Sequence, residues 1–237
     1  MDHCKGILVG CDQNQQWLLE WWWNNFIQEN TLPVAFADFG MSEQGKKWCL
    51  ERGPVLPVPT HHFKTESTSD ARAILFNKPL SFFHSPFEKT IWIDLDCEIL
   101  GNLEPIYQFI DPHTKMGLVC VEEKETSTVE TFSVYNSGVI VFEKTSVLLK
   151  EWIEHLLEQS HRYKSDDEAL SHLIFEKRYT IGKIPEIYNW LMCKQLNPGA
   201  VVLHWSNGWG KQYIQMFGGL RCEIETITKK SKNSAKR

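Results

Sequence analysis

Lys89-Thr-Ile-Trp-Ile-Asp-Leu-Asp-Cys-Glu-Ile-Leu-Gly-Asn-Leu-Glu104 is the stretch that decides how this chain folds. It opens on an apolar run, Thr90 to Ile93, rich in β-branched and aromatic side chains, the composition of a buried strand. The run stops at Asp94-Leu95-Asp96. Along an extended chain, alternation sends both aspartates to one side and Leu95 to the other. Two adjacent carboxylates raise each other's pKa unless a cation lies between them, which points to Mg²⁺ or Mn²⁺ shared with a phosphate. The carboxyl end of a strand in an α/β sheet is where a ligand binds. The plainer alternative is an acidic turn in which Asp94 caps the next segment. A phosphatase with the same Asp pair carries Thr two residues after the second Asp, and here that position is Glu98.

Working outward, 237 residues that are 42% hydrophobic and 12% aromatic suffice for one large domain, expected over 1–228. A net charge of −5 gives no reason to expect nucleic acid or an anionic membrane as partner. Basic residues cluster only at 229–237, read as a short disordered tail. Seven cysteines without a Cys-x-x-Cys pair, with Cys97, Cys120 and Cys193 in apolar surroundings, fit buried free thiols in a reducing compartment. With no signal peptide and no apolar run of bilayer-spanning length, the expectation is a cytoplasmic protein without a transmembrane segment.

Strands and helices alternate along the chain. Gly6 to Gly10 reads as a strand, Gln15 to Glu29 as a helix, Pro33 to Phe39 as a strand, and Ser42 as the cap of a helix reaching Arg52. Val55 to Val58 is a further short strand, and this rhythm builds a parallel sheet. In the first helix, Trp21, Trp22 and Trp23 lie about 100° apart, so they cannot share one face. At least one is partly exposed or meets another element, and core packing is favoured over an acceptor or partner surface.

Asp70 to His84 is expected to be helical, with Arg72 a candidate phosphate contact or a surface ion pair. Asn102 to Ile110 adds a short helix and Met116 to Val121 a strand. Glu122 to Thr131, charged and without an apolar pattern, reads as a loop and a potential lid. Asn136-Ser-Gly138 reads as a turn into an apolar strand ending at Phe142. Lys144 to Gln159 is an amphipathic helix. Ser165-Asp166-Asp167-Glu168 opens another, where acids suit the helix dipole and cap free amides. Ala200 to His204 is a last strand, followed by a glycine-rich loop from Trp205 to Lys211.

In order and spacing, five segments resemble the retaining, nucleotide-sugar-dependent glycosyltransferases of the glycogenin and lipopolysaccharide galactosyltransferase type (family 8-like). They are Lys89 to Leu103, Tyr135 to Phe142, the Asp167-Glu168 helix start, Ile184 to Asn189, and His204 to Lys211. The resemblance implies an α/β GT-A fold, a single Rossmann-like domain whose mostly parallel central sheet is flanked by helices. It implies a UDP-hexose donor (glucose or galactose type), Mn²⁺ or Mg²⁺ as cofactor, and a hydroxyl acceptor on a glycan, a lipid-linked sugar or a protein.

Carried over by position, Asp94, Asp96 and His204 are similar to the family's metal ligands, and Lys211 to the lysine that holds the departing diphosphate. Gly208 corresponds to the glycine that lets that loop wrap it, Asp12 and Asn14 to the uracil and ribose contacts, and Arg72 to a basic sugar-nucleotide contact. Asn136 and Asp167 correspond to residues at the donor sugar, and Glu168 to a nucleophile or stabiliser of an oxocarbenium-like state. Three positions depart from the family pattern: Glu168 stands where Gln is common, His204 and Gly208 are one residue further apart, and Gln212 replaces a proline. A sugar-phosphate nucleotidyltransferase is disfavoured because Gly10-Cys-Asp-Gln-Asn14 lacks a basic glycine-rich loop. A non-catalytic sugar-nucleotide-binding or interaction protein on the same fold is the other alternative.

Overall fold

A computed structural model describes residues 4–63, 76–125, 131–193 and 197–222. Ten strands are described: β1 (Lys5–Cys11), β2 (Val34–Asp38), β3 (Val55–Pro57), β4 (Lys89–Ile93), β5 (Cys97–Ile99), β6 (Met116–Glu125), β7 (Thr131–Glu143), β8 (Gly182–Lys183), β9 (Trp190–Leu191) and β10 (Val202–His204). The helices are α1 (Leu18–Glu29), α2 (Glu43–Leu50), α3 (Lys78–Phe82), α4 (Val147–Gln159), α5 (Asp166–Lys177) and α6 (Asn207–Phe217).

The central sheet has seven strands in the order β3-β2-β1-β4-β7-β6-β8. It is parallel from β3 to β4, and β7 runs antiparallel to both β4 and β6. Alternation along each strand feeds two cores. Ile7, Val9, Ile91 and Ile93 face Trp22 and Phe26 of α1, while Leu8, Trp92 and Phe142 face Phe82, Leu149 and Trp152. A sheet buried on both faces needs near-continuous apolar strands, which is why these segments were readable. The result is an α/β sandwich of helices around a mostly parallel sheet.

The tryptophan run divides its work. Trp22 is fully buried and stacks on Phe26, while Trp21 donates to Gly218 O at 2.8 Å. Trp23 meets Trp48 edge-on, and the Arg52 guanidinium covers Trp48 at 3.8 Å. Ser42 caps α2 by accepting from the Gly45 amide.

The short helix expected over Asn102 to Ile110 is a 3-10 helix, Glu104–Phe109. Several other local expectations are corrected. The described residues of the expected lid are paired strand: Glu122 to Glu125 lie opposite Val134 to Thr131 in antiparallel β6 and β7. Asn136-Ser-Gly138 is an irregularity inside β7 and not a turn. Leu118 pairs with Ile140 but Val119 with Asn136, so residues 137–139 bulge away from β6. Cys193 is exposed while Cys97 is buried, and all seven cysteines are free. Arg72 and residues 229–237 lie outside the described residues. Among the described residues, no helix is long and apolar enough to cross a membrane.

A second, three-stranded sheet, β5-β10-β9, was not anticipated from the sequence. It positions the site. His204, the last residue of β10, pairs with Cys97 of β5, and the Trp205 amide donates to Asp96 O at 2.9 Å.

Candidate active site

β4 ends at Ile93, and the chain turns at once, the Cys97 amide donating to Asp94 O at 3.1 Å. Asp94 and Asp96 share a side because of this turn, not because the strand continues. The Asp94 amide is anchored to Gly138 O of β7 at 2.9 Å. Both carboxylates line a cavity of about 100 Å³ at the carboxyl ends of β1 and β4, together with Gly10, Asp12, Lys78, Trp92 and Lys211.

Asp96 is deeply buried. Its Oδ1 lies 3.3 Å from His204 Nε2, and its Oδ2 accepts from Lys211 Nζ at 2.5 Å. Burial pushes this carboxyl up, but the His204 ring in its protonated form and the Lys211 ammonium outweigh it and hold it well below the ordinary carboxylate range. Asp94 differs. Its Oδ1 accepts from the Trp92 indole at 2.6 Å and from Lys78 Nζ at 3.4 Å. Burial dominates there and raises its pKa in spite of Lys78. Among the described residues, the metal-binding types whose ligand atoms all fall within 4.8 Å of one another are Asp96, Cys97 and His204; Asp94 stands outside that cluster. The Cys97 thiol is driven well up by burial, so it stays protonated at neutral pH.

Behind the cavity runs a hydrogen-bond chain that is buried at its His204 end and partly buried beyond. His204 Nδ1 lies 2.9 Å from Asn189 Oδ1, Asn189 Nδ2 donates to Asn136 Oδ1 at 2.7 Å, and Asn136 Nδ2 donates to Asp167 Oδ2 at 3.3 Å. Asn136 therefore joins His204 to Asp167. Ser165, the N-cap of α5, donates to Asp167 Oδ1. Glu168 turns back to accept from the Lys164 amide at 2.6 Å, giving it the capping role that acids in a first turn perform. Asp167 and Glu168 line a neighbouring cavity with Phe132, Lys164 and His172.

The remaining expected residues divide. Asp12 is buried at the cavity and accepts from the Gln15 amide, while Asn14 is exposed and donates to Asp12. Lys211 sits on α6 and not in a loop, because Gln212, unlike proline, lets the helix continue. Gly208 is exposed in the first turn of α6, where a Cβ would meet nothing within 4 Å. Gly210 is the glycine that packing demands, since a Cβ there would come 2.1 Å from Trp205 O.

Sequence reasoning missed Lys78 and Asp166. The Lys78 ammonium is buried in the protein, 3.2 Å from Asp166, 3.4 Å from Asp94 and 2.6 Å from Ser137 Oγ. Burial alone would lower its pKa, and Asp166, Asp94 and Asp167 reverse the sign and raise it. The signal was a lysine set among Phe76, Pro79, Leu80 and Phe82, since a cation in apolar company must find a carboxylate.

This architecture is that of the GT-A glycosyltransferases. Mouse xyloside xylosyltransferase 1 in its apo form superposes with a TM-score of 0.63 at 11% identity, over 86% of this chain and 98% of that one. The galactosyltransferase LgtC, in complex with donor and acceptor sugar analogues, gives 0.61 at 14% identity over 89% and 94%. The glycosyltransferase GlyE of Streptococcus pneumoniae TIGR4 gives 0.60 at 11% identity over 86% of this chain and 55% of its own. At such identities the likeness is one of fold. No protein-family model matches the sequence, and no curated protein matches it.

Proposed function

We propose that this protein is a metal-dependent, retaining glycosyltransferase that moves a hexose from a UDP-sugar to a hydroxyl acceptor. One observation carries the reading. On a GT-A fold, Asp96 and Asp94 at the end of β4, His204 from β10 and Lys211 from α6 converge beside one cavity. Two carboxylates and an imidazole fit a divalent ion, and the nitrogen donor favours Mn²⁺ over Mg²⁺. Asp94, Asp96 and His204 would hold it. When bound, such an ion offsets the charge that grows on the nucleoside diphosphate as the glycosidic bond breaks.

The chain's own groups do the rest. Lys211, whose side chain is 30% exposed, swings from Asp96 to the departing diphosphate. Asp12, with Asn14, reads the ribose and uracil; Arg72 and Gly208 contact the sugar nucleotide. Asn136 and Asp167 orient the donor hydroxyls, and Lys78 with Asp166 keeps Asp94 in place. Glu168 is held in a cap, so retention proceeds without a covalent intermediate on it, the acceptor attacking from the face the diphosphate leaves. The decisive assay is UDP release from UDP-glucose and UDP-galactose with and without Mn²⁺. Turnover that requires Mn²⁺ and is lost in Asp94→Ala is expected; turnover that persists in EDTA overturns the reading.

A further inference from the structure

The hydrogen bonds behind His204 have only one consistent orientation. Asn136 Oδ1 receives the Gly138 amide at 3.0 Å as well as Asn189 Nδ2 at 2.7 Å. A backbone amide can only donate, so that atom of Asn136 is its oxygen. Asn189 must then face it with nitrogen and turn its own oxygen to His204 Nδ1, 2.9 Å away. An amide oxygen can only accept, so Nδ1 carries the ring proton. In the neutral ring Nε2 keeps its lone pair and points it at Asp96 Oδ1, 3.3 Å distant. Facing a carboxylate oxygen, that lone pair marks a place for a cation, whether a proton on Nε2 or a metal ion.

The ring has little freedom to choose otherwise. His204 is buried, and a Cβ on Gly138 would lie 2.3 Å from its Cε1 and 2.5 Å from its Nδ1. Asn189 itself is 0% exposed, at the end of the 3-10 helix Glu186–Tyr188, and its amide group bonds both of these neighbours.

We infer that Asn189 is a positioning residue. It fixes His204 as the Nδ1–H tautomer with Nε2 directed at the cation site, and through Asn136 it ties that ring to Asp167, making cation site and sugar-facing acid one assembly. The coupling to a metal rests on the function proposed above; the tautomer does not. Ligating histidines held this way by a neighbouring group lose roughly 10–100-fold in metal affinity when that group is removed.

The first test uses the unaltered, metal-free chain. A long-range ¹H–¹⁵N spectrum of the histidine rings at pH 8, with His204 assigned by its loss in His204→Gln, should show a bare Nε2 and a protonated Nδ1. An Nε2–H or averaged pattern overturns the inference, and this holds even if no Asn189 variant folds. The second test separates the two hydrogen bonds. Asn189→Leu removes both, so Mn²⁺ affinity by isothermal titration should fall about 10–100-fold. Asn189→Asp keeps an acceptor for Nδ1 but opposes Asn136 Oδ1. Its Mn²⁺ affinity should equal or exceed that of the parent chain, while UDP-hexose loses its affinity advantage over UDP. Unchanged Mn²⁺ binding in Asn189→Leu, or binding in Asn189→Asp as weak as in Asn189→Leu, defeats the inference. A parent chain that binds no Mn²⁺ yet shows the Nδ1–H tautomer defeats the metal reading alone.

Discussion

Asp94 and Asp96 are two residues apart and line the same cavity, yet the protein treats them in opposite ways. Asp96 meets the His204 ring, which stabilises its charge when protonated, and the Lys211 ammonium, and together they outweigh burial. Asp94 shares one oxygen between an indole N–H and a lysine that Asp166 holds more closely, and burial wins. The difference teaches that an Asp-x-Asp spacing delivers two carboxylates to a site, while the elements arriving from elsewhere decide which one's charge is favoured. In this arrangement the surroundings favour the charge on Asp96 and disfavour it on Asp94.

The comparison breaks most visibly at Lys78. Replacing it with methionine strands Asp166 and Asp94 without their shared cation, and loss of one partner from a buried ion pair costs about 3–5 kcal/mol. Urea unfolding of Lys78→Met should show that loss; an unchanged midpoint would mean that Lys78 does not govern the Asp94 side. Next in size is the split between the two aspartates in Mn²⁺ titration. Asp96→Asn should weaken binding by about 100-fold, on the order of 2.7 kcal/mol, and Asp94→Asn by a smaller factor. Equal losses would erase the distinction. Gly138→Ala forces a Cβ against the His204 ring, an overpacking of roughly 1–3 kcal/mol, with Mn²⁺ affinity falling alongside.

The smallest effect is the sharpest in sign. For Asp96 the folded pKa lies below the unfolded one, so its charge stabilises the fold above the ordinary aspartate range and that contribution is lost in acid. For Asp94 the folded pKa is raised, so its charge opposes folding at neutral pH and the opposition fades as the pH falls into the ordinary range. In EDTA, Asp94→Asn should therefore melt above the parent chain at pH 7 and converge with it near pH 4, an ordinary aspartate value of about 3.9 being the lower end of the window. Asp96→Asn should melt below the parent chain at pH 7. The same sign for both variants would contradict the electrostatics described.

Much of this was readable from local pattern. Ile91-Trp92-Ile93 and Ile7-Leu8-Val9 are apolar on both faces because the sheet is covered on both, and Ser42 and Ser165 announce helix starts by capping chemistry. Asp94 and Asp96 could be named as candidates from their place at the end of a strand, and Asp12 and Lys211 from the family resemblance. The 3-10 form of Glu104–Phe109, the pairing of β6 with β7 and the helical setting of Lys211 were not legible. Short apolar runs suit several conformations, and a charged strand can be held by its partner alone.

What the sequence determined by itself is the main strands and helices of the central sheet and the two acids at the end of one strand, since period and capping act over a few residues. Which residues complete the site was decided only in three dimensions. Lys78 lies 16 positions before Asp94, and Asp166 lies 88 positions beyond Lys78. Asn189 reaches Asn136 across 53 positions and His204 across 15. Those meetings depend on a bulge in β7 and on a small second sheet that docks β10 beside β5. A buried charge or amide accepts whichever partner the packing brings to it, and no local pattern of residues specifies that partner.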